Sequence, residues 1–328
     1  MQSADLEVLQ AAQGWLAQGR RVALATVVRT FGSAPRPEGA LLALSDQGLL
    51  TGSVSGGCIE ADLLERVRAA FPARPELVGY GVETGTARRF GLPCGGTLEL
   101  VLEPLCGADA LAPVLAALAG RRCLRRSLDM ETGRVEFDAG ESLDQCSFDG
   151  RRLRRVFGPR WRLLAIGAGQ ITRFLADMAQ ALDYEILVCE PREEYRASWR
   201  DDGATRLLPG MPDDVVRELA ADGRSLVVAL THDPKLDDLA LMEALISPAF
   251  YVGALGSRRN QTKRRERLLE MGLSREQVDR LRGPVGLELG GKTPAEIALA
   301  ILAEVTALRH GRTLRLDAPQ RAASPACA

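Results

Sequence analysis

The feature that most limits how this chain can fold is an alternation that begins at residue 161. An apolar run, WRLLAI, meets a glycine turn, GAG, continues as an amphipathic stretch, QITRFLADMAQALD, and returns as a second apolar run, YEILVCE. Strand, glycine turn, helix and strand in that order build a parallel sheet covered on both faces. The pattern continues through ATRLLPG, DDVVRELAADG, SLVVALTHD, LDDLALMEALI, AFYVGALGS and RNQTKRRERLLEMG, so residues 161–312 are predicted to form a Rossmann-like domain. It closes on GKTPAEIALAILAEVTALRHG. There Thr293 and Glu296 make a capping-box pattern, Pro294 takes the first helical position and Gly311 marks the end. His310, in the last turn, complements the helix dipole. Residues 313–328 read as a flexible tail.

The front of the chain has a different texture. Residues 6–16 have helical spacing, and RRVALATVV reads as a strand from its apolar, largely β-branched content. FGSAPRPEG is a turn, and ALLALSDQGLLTGSV places two apolar runs around residues 46–48, a hairpin signal. After SGGCIE, Ile59, Leu63, Leu64, Val67 and Phe71 share one helical face, which puts Cys58 at or just before a helix N-terminus. GLPCGG then precedes TLELVLEPL, a strand through Leu98, Leu100 and Leu102. The expected architecture is α/β: an N-terminal α+β domain over residues 1–106, a connector over 107–160 holding a possible helix from Ala108 to Leu118 and two polar strand-like pieces, and the doubly wound parallel-sheet domain over 161–312.

Composition narrows the function classes. The 328 residues carry 42 Lys plus Arg against 43 Asp plus Glu, a net charge of −1, which argues against a broad nucleic-acid surface. Seven cysteines without a C-x-x-C pair, and a start bearing Asp5 and Glu7, point to a reduced, cytoplasmic protein. No run approaches the roughly 18 apolar residues that cross a bilayer.

Four groups of residues could carry chemistry. In GAGQIT, Gly167 allows a tight turn and Gly169 lets the backbone approach a pyrophosphate at the helix N-terminus. Thr172 replaces the third small residue, and Glu190, ending the second strand, is placed for a ribose 2′-hydroxyl, with Arg192 beside it blurring NAD against NADP. In SGGC and CGG, Cys58 and Cys94 each sit beside adjacent glycines, Gly56 and Gly57 in one motif and Gly95 and Gly96 in the other. Bare backbone there lets amide groups and a thiol share a pocket. Cys58, at a helix start, is the more nucleophilic and the better soft-metal ligand. His232 in THD, at the end of a predicted parallel strand, could handle a proton or a phosphate. Ser257, Arg258 and Arg259 in GALGSRR could meet an anion. Each group also has a bland reading: packing glycines, core cysteines, a capping histidine, a solvated basic face.

These pieces in this order resemble the xanthine dehydrogenase accessory factor (XdhC/CoxI) family. The likeness rests on ATVVRTFGSAPRPEGA, GSVSGGCIE and GLPCGGTLELVLEP in front, and on LLAIGAGQITRFLA, VCEPR, ALTHDP, YVGALGSRR and GPVGLELGGKTPAEIALAILAE behind. It implies an accessory chaperone rather than a catalyst. Such a protein binds molybdenum cofactor, as molybdopterin or its cytosine dinucleotide, protects it while the terminal sulfur is installed, and delivers it to a xanthine, aldehyde or carbon monoxide dehydrogenase. By motif, Cys58 is first choice for the metal contact and Cys94 second. The same resemblance implies a cysteine desulfurase as a further partner and a homodimer. Thr172, Glu190, Glu288 and Gly291 depart from the family's usual residues. Two other readings stand beside this one: an NAD(P)-dependent oxidoreductase using Gly167, Gly169, Glu190 and His232, and a redox sensor pairing Cys58 with Cys94.

Overall fold

The computed structural model describes residues 3–32, 36–57, 59–81, 96–140, 146–199 and 203–312, which divide into two units between residues 160 and 161. In the first, the apolar run after the opening helix is strand β1 (Val22–Phe31), the middle of a five-stranded antiparallel sheet. Alternation along a strand explains that position. Ala23, Ala25 and Val27 meet Ile59, Leu63 and Val67 on one side, and Val22 and Leu24 meet Val8, Leu9, Ala12 and Leu16 on the other. Helices α1 (Ser3–Ala17) and α2 (Glu60–Ala69) provide most of those layers. The hairpin forms as read, with β2 (Leu41–Ser45) and β3 (Leu50–Gly52) pairing Ala43 with Thr51 and Leu44 with Leu50. Strands β4 (Glu76–Tyr80) and β5 (Thr97–Pro104) complete the order β3-β2-β1-β5-β4. Leu98, Leu100 and Leu102 of β5 are fully buried; β4 escaped the sequence reading because only Val78 and Tyr80 of it are buried.

The stretch read as a connector, residues 107–160, is a folded part of the first unit. It forms α3 (Ala112–Ala119) and a second antiparallel sheet of β6 (Leu124–Asp129), β7 (Val135–Ala139), β8 (Cys146–Phe148) and β9 (Arg152–Phe157), in the order β7-β6-β9-β8. Leu111, Val114 and Phe157 enter the core beside α1. Arg126 of β6 is buried, donating to both oxygens of buried Glu103 on β5 at 2.8 and 2.6 Å. A charged pair satisfied in this way sits inside a core that hydrophobic patterning does not register.

The second unit has β10 (Arg162–Ile166), α4 (Gln170–Ala181), β11 (Glu185–Cys189), α5 (Glu193–Ala197), β12 (Thr205–Leu208), α6 (Pro212–Leu219), β13 (Ser225–Ala229), α7 (Pro234–Ile246), β14 (Tyr251–Ala254), α8 (Arg258–Glu270), α9 (Arg275–Asp279), β15 (Leu281–Arg282) and α10 (Pro294–Arg309). All six strands are parallel, in the order β12-β11-β10-β13-β14-β15. Counted within the unit this is 3-2-1-4-5-6, the doubly wound arrangement whose direction reverses between β10 and β13. Every residue of β10 and β13 is buried, as a sheet covered on both faces requires. The α10 start has the expected capping box of Thr293 and Glu296, and His310 is its C-cap. Among the described residues, no helix is long and apolar enough to cross a membrane.

Candidate functional sites in the two units

The front motif is wound around a carboxylate that the sequence reading did not single out. Glu60, the first residue of α2, accepts hydrogen bonds from six donors. To Oε1 come the Ser53 hydroxyl at 2.8 Å and the Val54 and Ser55 amides at 3.0 Å each. To Oε2 come the Ser55 hydroxyl at 2.5 Å and the Gly57 and Ile59 amides at 3.0 and 3.2 Å. Burial pushes the Glu60 carboxyl up, but these bonds, led by Ser55, outweigh it and bring its pKa from 4.5 down to about 2. The Gly56 amide goes to Ser53 Oγ. The expectation that the glycine amides of this loop face a ligand is thereby corrected: they already serve Ser53 and Glu60. Gly56 and Gly57 remain exposed, and a Cβ at Gly57 would meet nothing within 4 Å. What they offer is bare backbone on the outer side.

Cys58 lies between Gly57 and the α2 N-cap Ile59 in the chain. Cys58, Cys94, Gly95 and the tail 313–328 all lie outside the described residues. Gly96 is buried, 3.4 Å from where a Cβ of Gly32 would sit. Arg36 donates from Nε to the Ser53 carbonyl at 3.2 Å. The residues at 32 and 36 thus touch one glycine loop each. No group of three His, Cys, Asp or Glu side chains suited to a metal occurs among the described residues.

In the rear unit, Gly167 has φ 104°, and a Cβ there would lie 2.9 Å from Thr231 Cγ2, so only glycine lets β10 and β13 exit this close together. Thr172 is buried, and its hydroxyl donates to the Gly167 carbonyl at 2.5 Å, so this departure from a small residue ties the turn to α4. Gly169 is the N-cap of α4, and among the described residues no side chain caps that end. Glu190 is fully buried and fully engaged. It accepts from the Ala168 amide at 2.9 Å, from the Arg192 amide at 3.1 Å, and from Arg192 Nε and Nη2 at 2.8 and 2.9 Å. Burial raises its pKa, but the Arg192 and Ala168 bonds more than reverse that and hold it below the usual carboxylate range. The Arg192 guanidinium in turn lies 3.9 Å from the centre of the Tyr195 ring.

His232 is exposed and has φ 64°, a left-handed conformation uncommon outside glycine, at the mouth beside Gly167. Its position is fixed from beneath. Thr231 donates from its amide and hydroxyl to Asp237 Oδ1 at 3.2 and 2.7 Å, and Arg264 bonds Asp237 at 2.9 Å, Asp238 at 3.0 Å and the Leu255 carbonyl at 3.0 Å. Burial raises the Asp237 pKa against the pull of Thr231 and Arg264. This network joins the exits of β13 and β14. Ser257 is the N-cap of α8, accepting from the Asn260 amide at 3.3 Å. Arg258 pairs with Glu288 at 2.7 Å, both exposed, so it is held only weakly. With strands about 4.8 Å apart, Ser257 and Arg258 stand two strands, roughly 10 Å, from the glycine turn.

A cleft of about 920 Å³ opens at that turn and runs along α4, with Gly169, Arg173, Phe174, Tyr195, Trp199 and Pro294 among its walls. The residues missed by sequence reasoning are therefore Glu60, Arg36, Asp237, Arg264, Arg173 and Trp199. A hint for Glu60 was available, since an acid at a helix start beside two glycines suits inward amides. Arg264 had none, standing in a run of arginines that all look solvated.

Two family models match the chain: the XdhC and CoxI family over residues 15–81 and the XdhC Rossmann domain over residues 163–305. The molybdenum cofactor insertion chaperone PaoD of Escherichia coli (strain K12) is 29% identical over 311 residues, 92% of this chain and 88% of that protein. A protein of Bacillus subtilis (strain 168) described as a probable component of xanthine dehydrogenase is 26% identical over 313 residues, 87% of this chain and 92% of that one. The crystal structure of a xanthine dehydrogenase from Bacillus halodurans aligns with TM-score 0.69 at 24% identity, covering 94% of this chain and 97% of that chain, and shows a shared fold.

Proposed function

The chain belongs to the XdhC/CoxI family, and from that premise we propose that it holds molybdenum cofactor during sulfuration and delivers it to a molybdenum hydroxylase of the xanthine, aldehyde or carbon monoxide dehydrogenase type. The cofactor is cargo, and the chain handles it without transforming it.

The observation that carries this reading is the front loop wound on Glu60. Because the amides on either side of residue 58 are drawn inward to one carboxylate, the loop is preorganised before any cargo arrives, which lowers the entropy cost of binding. In the chain Cys58 directly follows Gly56 and Gly57, which are exposed, and it is the residue assigned here to the metal contact. A thiolate suits a soft, sulfur-bearing metal centre, and the CGG motif of Cys94, Gly95 and Gly96 is the second candidate for holding the cofactor. In the rear unit Gly167, Gly169, Glu190, His232, Ser257 and Arg258 are the residues assigned to a nucleotide, such as the cytidine nucleotide of the dinucleotide form of the cofactor. A cysteine desulfurase supplies the sulfur, and the working unit is a cytoplasmic homodimer.

The test is equilibrium ultrafiltration with released molybdenum cofactor, followed by incubation with an apo hydroxylase. Pterin retained by the wild type, lost in Cys58→Ala, and activity appearing in the client are expected. Equal retention by Cys58→Ala overturns the placement, and no transfer to any client type overturns the delivery.

A further inference from the structure

We infer that the cleft along α4 binds a nucleoside 5′-diphosphate through its phosphates and base while leaving the ribose 2′-hydroxyl unread. The inference rests on the proposed function only in giving the rear unit the nucleotide-bearing end of the cargo.

Three observations meet in the cleft. At its mouth, the Gly169 end of α4 has no side-chain cap among the described residues, so the first-turn amides and the helix dipole remain for an anion. Arg173, one turn further on the same wall, is exposed and supplies the matching charge; its guanidinium bonds the Ser198 carbonyl and lies 5.7 Å from the centre of the Trp199 ring. Beyond it, Phe174, Tyr195 and Trp199 give aromatic walls of a kind on which any base can stack. The Trp199 indole Nε1 is enclosed and has no acceptor among the described residues. A volume of about 920 Å³ is ample for a nucleotide.

The unread ribose follows from Glu190. In the usual arrangement an acid at the end of the second strand accepts from the 2′-hydroxyl. Here its two oxygens take the Ala168 and Arg192 amides and both prongs of the Arg192 side chain, and Arg192 is further held against Tyr195. A ribose hydroxyl would have to displace a charge-assisted pair with a single neutral hydrogen bond, an unfavourable exchange. Arg192 thus acts as a latch that converts a ribose-reading carboxylate into a brace for the turn.

Calorimetric titration of the full chain with ADP, CDP, 2′-deoxy-ADP and adenosine tests this. ADP and 2′-deoxy-ADP are expected to bind within about threefold of each other, with adenosine at least about tenfold weaker for want of phosphate. Arg173→Ala should weaken ADP by about tenfold or more, and Trp199→Ala by on the order of tenfold. Arg192→Ala frees Glu190, so ADP should gain about tenfold over 2′-deoxy-ADP. Should that variant melt early, the wild-type deoxy comparison and the exposed Arg173 decide. CDP bound alone identifies the cytidine end of the cofactor as the ligand, ADP alone an adenine nucleotide, and both a base-tolerant site. No nucleotide binding, or a tenfold wild-type preference for ADP over its deoxy form, overturns the inference. Since no probe contains molybdenum, that failure leaves pterin retention by the front unit to be judged separately.

Discussion

The two glycine turns of this protein solve one problem in opposite electrical ways. Each is a glycine-containing bend at a helix start, braced by a carboxylate that accepts the bend's own amides. In front, Glu60 takes six donors and, among the described residues, no cation. Behind, Glu190 takes one turn amide, from Ala168, and is neutralised by Arg192. The front turn is therefore rigid and retains a net negative charge with its donors facing inward. The rear turn has its charge cancelled and, among the described residues, no side chain caps the α4 amides. A soft metal centre gripped by sulfur needs no outward amides, whereas a phosphate does, which is the division that the proposed function and the inferred nucleotide cleft require of the two turns.

The comparison is broken most forcefully at Glu60. Glu60→Ala leaves inward donors without an acceptor and should cost the first unit about 3–5 kcal/mol. Urea unfolding followed by hydrogen exchange at residues 54–57 and 59 should show the loss there, with the second unit's transition unmoved. A shift below about 1 kcal/mol, or an equal shift in both units, would mean that Glu60 does not organise the loop.

Acid makes the same cut reversibly. The folded pKa of about 2 lies below the free value of 4.5, so Glu60 contributes stability that is complete above pH 4.5. That contribution, roughly 3 kcal/mol, is lost as pH falls from 4.5 towards 2. Exchange protection of the front loop should decay through that window. Glu60→Gln should remove the pH dependence, and if it does not, other carboxylates are responsible.

Smaller in effect, but sharper, is a pair of alanines. Gly57 and Gly167 have nearly the same φ, 106° and 104°, but a Cβ meets open space at Gly57 and Thr231 at 2.9 Å at Gly167. Gly57→Ala should cost about 1–2 kcal/mol from backbone strain alone. Gly167→Ala should cost about 1–3 kcal/mol more from the clash. Equal costs in thermal unfolding would show that the rear turn yields easily and does not hold β10 against β13.

Much of this was legible beforehand, and the reason differs by region. The parallel domain announced itself because its strands are apolar throughout and its glycine turns fall where strand becomes helix. Thr293, Pro294 and Glu296 gave the last helix a local signature that needs no tertiary context. In residues 107–160 the helix and strand-like pieces were legible, but their joining to the core of the first unit was not, because Arg126 is interior only by virtue of Glu103, a partner 23 residues away that no periodicity reveals. The front site was half legible: cysteine beside glycine was visible, but amide direction is a property of φ and ψ, and Gly56 and Gly57 at positive φ turn their neighbours' N–H groups inward. Glu190 was found by its spacing and misjudged in its partner, since Arg192 could as well have faced a ligand as folded back.

The smallest effect concerns the cysteine that precedes each brace. Cys58 comes two residues before Glu60, and Cys189 immediately before Glu190. Strand alternation puts Cys189 on the opposite side of β11 from Glu190. There it is fully buried, and burial, helped by the charges of Glu190 and Asp213, pushes its thiol up to about 12. A thiol so placed neither ionises at neutral pH nor meets a reagent. The front cysteine follows two exposed glycines and precedes a helix start, conditions that favour a reachable thiolate. Brief alkylation of the native protein at about pH 8, near the ordinary thiol pKa, read by peptide mass spectrometry, should mark Cys58 and leave Cys189 unmodified until the second unit is unfolded. Cys106, which is exposed, serves as the internal reference for an accessible thiol. If Cys58 reacts no faster than Cys189, the front turn does not present its sulfur outward, and the division of labour between the two turns fails at its simplest point.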